Sequence, residues 1–291
     1  MAFSKIFEIL KIAQEQKLPF WEVILNDDRL ERNASREESL NRMEKLLDAM
    51  ILADKNYNPE LRSQSGMSGG DGAKLEAFRK QDNRLIGTFL ATVMEKAVKM
   101  AESNACMGRI VAAPTAGSCG VIPAVLLTYM EEKKIEKSKI VEALYVSAGI
   151  GQVIAMTASI SGAEGGCQAE IGSASAMAAG AITYLEGGTN EQIANAAALA
   201  LKNMLGLTCD PVAGLVEVPC IKRNVSGAVN AIISSQMSMA GVVSAIPADE
   251  VFESMGRIGE LIPSCLKETS TEGLAVCTTA QKIARGCAPS V

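Results

Sequence analysis

The central third of the chain is rich in Ala, Gly, Ser and Met, and that restricts its fold more than any other feature. Small side chains let helix backbones approach closely, so segments built from them suit the inside of a tightly packed bundle. Residues 171–184 and 225–248 are therefore expected to be inner helices. Strand signals are scarce. Aromatics make up 4% of the residues, and no stretch alternates apolar and polar residues over six positions between turn residues. Helical period recurs instead. Ser35-Arg-Glu-Glu38 is a capping box leading into Leu40, Met43, Leu47 and Met50, and Thr189-Asn-Glu-Gln192 is a second, leading into Ile193, Ala197, Leu201 and Met204. Further helical runs cover 85–101, 121–130, 139–159, 170–185, 227–246 and 250–261. The expected fold class is all-α, a large single-domain helical bundle with small-residue inner helices and glycine-rich loops carrying the site. Residues 1–55 read as an outer helical layer packed on a core of residues 56–291, the two forming one continuous domain.

The chain contains no histidine, which excludes a histidine base and histidine metal ligands from its own residues. Any metal must be held by Cys or carboxylate, and any proton moved by Lys, Asp, Glu, Ser, Tyr or a residue of another chain. A net charge of -5 argues against nucleic acid as a partner, because phosphate binding needs a concentrated basic face. The one basic cluster, Lys133, Lys134 and Lys139, is interleaved with Glu131, Glu132 and Glu136 and reads as a solvated helix end. The N-terminal residues carry charges and lack the apolar core of a signal peptide, so the eight cysteines are expected in a reducing cytoplasm. Residues 225–248 run without a charge for long enough to span a bilayer. They include Asn230, Gln236, Ser226, Ser234, Ser235 and Ser238 and have no aromatic or basic flanks at both ends, so a helix buried in protein is the expected reading.

Four segments interrupt the helical pattern. Ser65-Gly-Met-Ser-Gly-Gly-Asp-Gly-Ala-Lys74 holds Gly66, Gly69, Gly70 and Gly72, a loop able to wrap an anion with backbone N–H groups while Lys74 adds positive charge. A plain connector between outer and inner helices is the competing reading. Residues 113–123, Ala-Pro-Thr-Ala-Gly-Ser-Cys-Gly-Val-Ile-Pro, turn into a helix through small hydroxyl residues. Cys167 follows Gly162-Ala-Glu-Gly-Gly166, while Cys209 and Cys220 bracket Asp210-Pro-Val-Ala-Gly-Leu-Val-Glu-Val-Pro219. Backbone loosened by Gly and Pro can aim a sulfur and bring amides towards it, as a thiolate ligand requires. The intervals C-x41-C and C-x10-C contain no C-x2-C pair, so spacing alone favours packed core cysteines.

Five motifs in order resemble the iron–sulfur-dependent L-serine dehydratases: Ser68-Gly-Gly-Asp71, Ala113-Pro-Thr-Ala-Gly117, Gly165-Gly-Cys-Gln-Ala-Glu-Ile-Gly172, Cys209 to Cys220, and Lys267-Glu-Thr-Ser-Thr-Glu-Gly-Leu-Ala275. The resemblance covers residues 60–276 and is to the alpha subunit of the two-chain type, whose beta subunit carries an allosteric domain. It implies a lyase that converts L-serine to pyruvate and ammonia by eliminating water. It also implies a 4Fe-4S cluster held by Cys167, Cys209 and Cys220, with one iron lacking a protein thiolate and acting as the Lewis acid. Ser68, Gly69, Gly70, Thr115, Ala116 and Gly117 would hold substrate, and Lys74, or else Asp71, would serve as the base unless the partner chain supplies it. Cys277 and Cys287 are candidates to cap the fourth iron, whereas Cys106, Cys119 and Cys265 have no implied role. Cysteine desulfidase or a related β-elimination, and a non-catalytic scaffold subunit, are the competing readings.

Overall fold

The computed structural model describes residues 3–81 and 85–287, without the Cys287 side chain. Among the described residues thirteen α-helices form and no strand does. One isolated parallel bridge joins Cys209 to Lys267. The first three helices are α1 (Ile6–Gln16), α2 (Phe20–Arg32) and α3 (Arg36–Lys55). Their Ile6, Ile9, Phe20, Ile24, Leu25 and Leu47 lie in the same apolar core as the inner helices. The next four are α4 (Asp71–Arg79), α5 (Thr88–Ala105), α6 (Val121–Lys133) and α7 (Lys137–Thr157), followed by the single-turn α8 (Gly162–Gly165). After α8 come α9 (Ser173–Leu185), α10 (Asn190–Lys202), α11 (Cys220–Met239), α12 (Ala248–Leu261) and α13 (Thr278–Cys287). The chain is an all-α single domain, as its composition implies.

Both capping boxes form. Ser35 Oγ accepts from Glu38 N at 3.2 Å while Glu38 Oε2 accepts from Ser35 N at 2.8 Å, and Thr189 and Gln192 repeat the exchange at the head of α10. The innermost helix is α9, buried from Ser173 to Thr183 and packed by α6, α7, α10 and α11. Its small residues permit this. A Cβ on Gly180 would approach Ile150 Cδ1 to 2.2 Å, and one on Gly227 of α11 would lie 2.9 Å from Ile171 Cγ2. Several polar side chains inside the bundle pair with one another. Ser175 Oγ donates to Gly227 O at 2.8 Å, Asn230 Nδ2 donates to Ser175 Oγ and to Ala200 O, each at 2.8 Å, and Thr183 bonds Ser235. Asn230, Ser234, Ser235 and Ser238 of the long uncharged run are buried in protein, whereas Ser226 and Gln236 are exposed. Among the described residues the one helix long and apolar enough to cross a bilayer is α7, whose Ile140, Val146, Ile150 and Val153 are buried in the bundle.

Two helix starts differ from the sequence expectation. The last inner helix begins at Cys220 rather than Gly227, directly after Pro219, and ends at Met239. It stops there because Gly241 takes φ 86° and Val242 N donates back to Met237 O at 2.9 Å. The consequence is that Cys220 occupies the first turn of a helix. Ahead of α9, residues Gln168–Gly172 form a π turn instead of α-helix, a local widening that recurs at functional sites.

Gly120, the residue before α6, shows how tightly the layers near the site are set. Its φ of -86° is open to any residue, yet a Cβ there would lie 2.5 Å from the backbone oxygen of Ala97 and 3.0 Å from Asn224 Oδ1. Gly120→Ala is expected to lower stability by about 1–3 kcal/mol in chemical denaturation, the range for overpacking. Wild-type stability would mean that α5 yields at this contact.

Candidate active site

The first turn of α11 gathers the interrupting segments. Asn224, fully buried, accepts from Gly120 N at 2.8 Å and donates to Gly117 O at 2.8 Å and to Cys220 O at 2.9 Å, joining the 113–120 turn to a cysteine. Arg223 donates to Thr208 O at 2.7 Å and pairs with Asp210 Oδ1 at 3.1 Å, which fastens both flanks of Cys209. Asp210 Oδ2 in turn accepts from Leu274 N at 2.9 Å, and Cys209 exchanges backbone bonds with Leu266 O and Glu268 N. The 267–275 motif is thereby wrapped against the Cys209 loop. Gly273, at φ 67°, has no room for a side chain, because a Cβ would fall 2.7 Å from Asp210 Oδ2. Glu268 and Ser270 are held in the left-handed region at φ 62° and 57°, an uncommon conformation for residues other than glycine.

Cys167, Cys209 and Cys220 are 2%, 3% and 8% exposed. Burial is the largest influence on each and pushes all three thiols above their ordinary value, Cys220 to about 12. Cys209 is raised further by Glu170, Cys167 and Cys220, and Cys220 by Cys167 and Glu170, so the sulfurs and one carboxylate lie within electrostatic reach of one another. Arg223 works in the opposite direction on Cys167, lowering it. Among the described residues no three Cys, Asp or Glu side chains are grouped to hold a single metal ion. Three thiols around one centre of several atoms is a wider arrangement than three on one ion. A cavity of about 460 Å³ lies behind the Cys167 loop, lined by Glu164, Gly165, Ala169, Glu253 and Arg257, and none of the three cysteines lines it.

Glu170 is the carboxylate that the sequence reading passed over. It stands one turn after Cys167 and accepts from Thr115 Oγ1 at 2.8 Å. A Cβ on Gly117 would lie 3.1 Å from its Oε1, and one on Gly162 would lie 2.7 Å from its Oε2 and 3.1 Å from Cys209 Sγ. Glycines thus let the backbone approach the carboxylate and the sulfur more closely than a side chain would allow. Burial, with Glu268 adding to it, raises Glu170 above the ordinary glutamate value, against the lowering by Thr115. A signal existed in the sequence, since Glu170 is the only charged residue between Glu164 and Glu186. Arg223, Asp210 and Asn224 had no comparable signal, because each acts through contacts between segments distant in sequence.

The structure brings Thr115 and Gly117 to the cysteines through Glu170, and places Ala116 beside them with its carbonyl accepting from Asn104 at 3.3 Å. The glycine loop does something else. The N–H groups of Gly69, Asp71 and Gly72 all donate to the carboxylate of Glu102 from α5, at 3.2, 2.9 and 3.0 Å, and Tyr57 adds its hydroxyl at 2.7 Å. An anion cradle is present, and the anion is internal, 1% exposed. Gly70, at φ 82°, turns the chain into α4. Ser68 is buried with its hydroxyl unpartnered. Lys74, with a side chain 79% exposed, pairs with Asp71 at 2.8 Å, and Asp71 also takes Lys222 at 2.7 Å. Lys222 and then Lys74 hold the Asp71 carboxyl below the usual range. The loop reaches the cysteine segment through Glu217, which accepts from Ser63 at 2.6 Å and from Ser65 at 2.9 Å. Cys119 is core, Cys106 and Cys265 are half-buried, and Cys277 is exposed with its sulfur 3.9 Å from Gly273 O. The Cys287 side chain, the other expected cap, lies outside the described residues.

Residues 15–275 match the family described as serine dehydratase alpha chain, and the chain belongs to that family. It is 43% identical to the probable L-serine dehydratase, alpha chain, of Bacillus subtilis, over 97% of this chain and 94% of that protein. Against the L-serine dehydratase, alpha chain, of Peptoniphilus asaccharolyticus it is 41% identical over 96% of both. The L-serine dehydratase of Streptomyces coelicolor is 38% identical over 92% of this chain, which spans only 60% of that longer protein.

Glu102→Ala would strand three backbone donors and the Tyr57 hydroxyl. It is expected to destabilise the chain by roughly 3 kcal/mol, the scale of a broken buried charged network. Glu102→Gln should cost less because it still accepts. Denaturation midpoints of both variants check the order, and equal midpoints with the wild type would show that the loop does not depend on this carboxylate.

Proposed function

We propose that this chain is the catalytic subunit of an L-serine dehydratase that eliminates water from L-serine to give pyruvate and ammonia. It would do so with a 4Fe-4S cluster held by Cys167, Cys209 and Cys220. The observation carrying the reading is the meeting of three buried thiols from separate segments beside a raised carboxyl and a guanidinium. The donor set suits an iron–sulfur centre, because three soft sulfur donors are gathered there and the chain has no imidazole to offer. Three neutral thiols have little reason to be crowded in one buried place, whereas a cationic centre deprotonates them and takes up the charge. When bound, the cluster would supply a Lewis-acidic iron for the substrate's oxygens, making hydroxide a feasible leaving group.

The chain's own residues would do the rest. Glu170, oriented by the Thr115 hydroxyl, would take the α proton. Gly117 and Gly162 let the backbone close in on that carboxylate and hold it in place. The aminoacrylate released would become pyruvate and ammonia in water. Lys74 and Asp71, expected as the base from the sequence, fit this role less well, since each is paired with the other at the rim of a loop whose amides already hold Glu102. The relatives' alpha-chain names support a beta subunit as partner in a hetero-oligomer. The reduced thiols the reading needs support a cytoplasmic location. The names of the relatives favour loss of water from serine over sulfide from cysteine.

Replacing Cys167, Cys209 or Cys220 by Ser should remove both the visible absorbance of the anaerobically loaded enzyme and serine dehydration. Glu170→Gln should keep the absorbance while turnover falls by about 10²-fold or more, the scale of a lost general base. The working form of Glu170 is the ionised one. Because its carboxyl is raised, wild-type activity should decline on the acid side at a pH above the ordinary glutamate value, as the proton goes on. Near-normal turnover of Glu170→Gln would move the base elsewhere.

A further inference from the structure

Arg223 ties the helix that carries Cys220 to the segment that carries Cys209. It stands in the first turn of α11, three residues after Cys220. One guanidinium nitrogen donates to Thr208 O at 2.7 Å and the other pairs with Asp210 Oδ1 at 3.1 Å, so the fork spans the residues before and after Cys209. Its charge also lies within electrostatic reach of Cys167, which stands just ahead of the π turn before α9. Only a planar fork with several donors can make these bonds together, and a lysine ammonium replaces its charge without its geometry. The guanidinium is mostly buried and Asp210 is 6% exposed, so neither partner has water as an equivalent substitute.

We infer that Arg223 is a positioning residue for the three thiolates, with two separable tasks: its fork holds the cysteine segments in register, and its charge stabilises the more negative state of whatever centre they bind. The second task rests on the cluster reading above, because reduction adds negative charge at the sulfurs and a cation within electrostatic reach of them favours that state. The first task belongs to the protein without metal. Deprived of the fork, the Cys209 loop would be left with its backbone bonds to the 266–268 segment, and the sulfurs would open to solvent more often.

The test uses the full chain in both forms. In the metal-free protein, the rate at which an aromatic disulfide reagent modifies each cysteine is followed by mass spectrometry in the wild type, Arg223→Lys and Arg223→Met. Cys119, buried in the core, is the internal control for general loosening. Modification of Cys167 and Cys209 should be at least about 10-fold faster in both variants, with Cys119 unchanged. Unchanged rates at Cys167 and Cys209, or an equal gain at Cys119, overturn the positioning role. In the iron-loaded, anaerobic protein, the midpoint potential should fall in Arg223→Met and stay near the wild-type value in Arg223→Lys, which keeps the charge. Equal potentials in all three proteins overturn the electrostatic task. If Arg223→Met does not fold, Arg223→Gln takes its place, and a potential in that variant equal to the wild-type value overturns it instead. A wild-type chain that takes up no iron defeats the cluster reading alone, since the thiol rates are measured without it.

Discussion

Thiols buried together at less than one-tenth exposure resist ionisation, and each one that ionises makes the next harder to ionise. Much of the molecule is arranged around that constraint. The bundle of small-residue helices supplies a rigid wall, α11 brings Cys220 and Arg223 to its first turn, and the π turn before α9 delivers Cys167 and Glu170 to the same place. A cationic centre bound by all three sulfurs would remove the penalty, which makes metal loading and the stability of this region one linked process.

The glycine loop illustrates how a local motif can be right about chemistry and silent about its partner. Its amides do converge on a carboxylate, yet the carboxylate belongs to Glu102 of the neighbouring helix. The loop is a strap. Glu102 fixes one side of it, while Glu217 accepts from Ser63 and Ser65 and Lys222 pairs with Asp71 on the other, tying the strap to the cysteine segment and α11. Rigid support of this kind is what a site with precise geometry needs from residues that never touch the reactants.

The all-α class was legible in the sequence because it follows from local information: helical period, two capping boxes and the lack of alternation. The three cysteines could be singled out by their Gly and Pro surroundings, although their spacing argued the other way. What the sequence did not disclose is contact across long separations. Asn224 bonding Gly117 and Gly120, Arg223 spanning Thr208 and Asp210, and Asp210 anchoring Leu274 all join segments that only the folded chain brings together. A lysine beside glycines looks like an anion partner, and in the folded chain Lys74 pairs with Asp71 while Glu102 fills the cradle.

The central claim is that Cys167, Cys209 and Cys220 hold one four-iron centre on three of its irons. Mössbauer spectroscopy of the anaerobically reconstituted, ⁵⁷Fe-labelled chain, with parallel iron and sulfide analysis, tests it most directly. The account predicts about four irons and four sulfides per chain, with one iron distinct from the other three and responsive to added L-serine. A chain that takes up no iron, or whose irons are all equivalent and indifferent to serine, would contradict it.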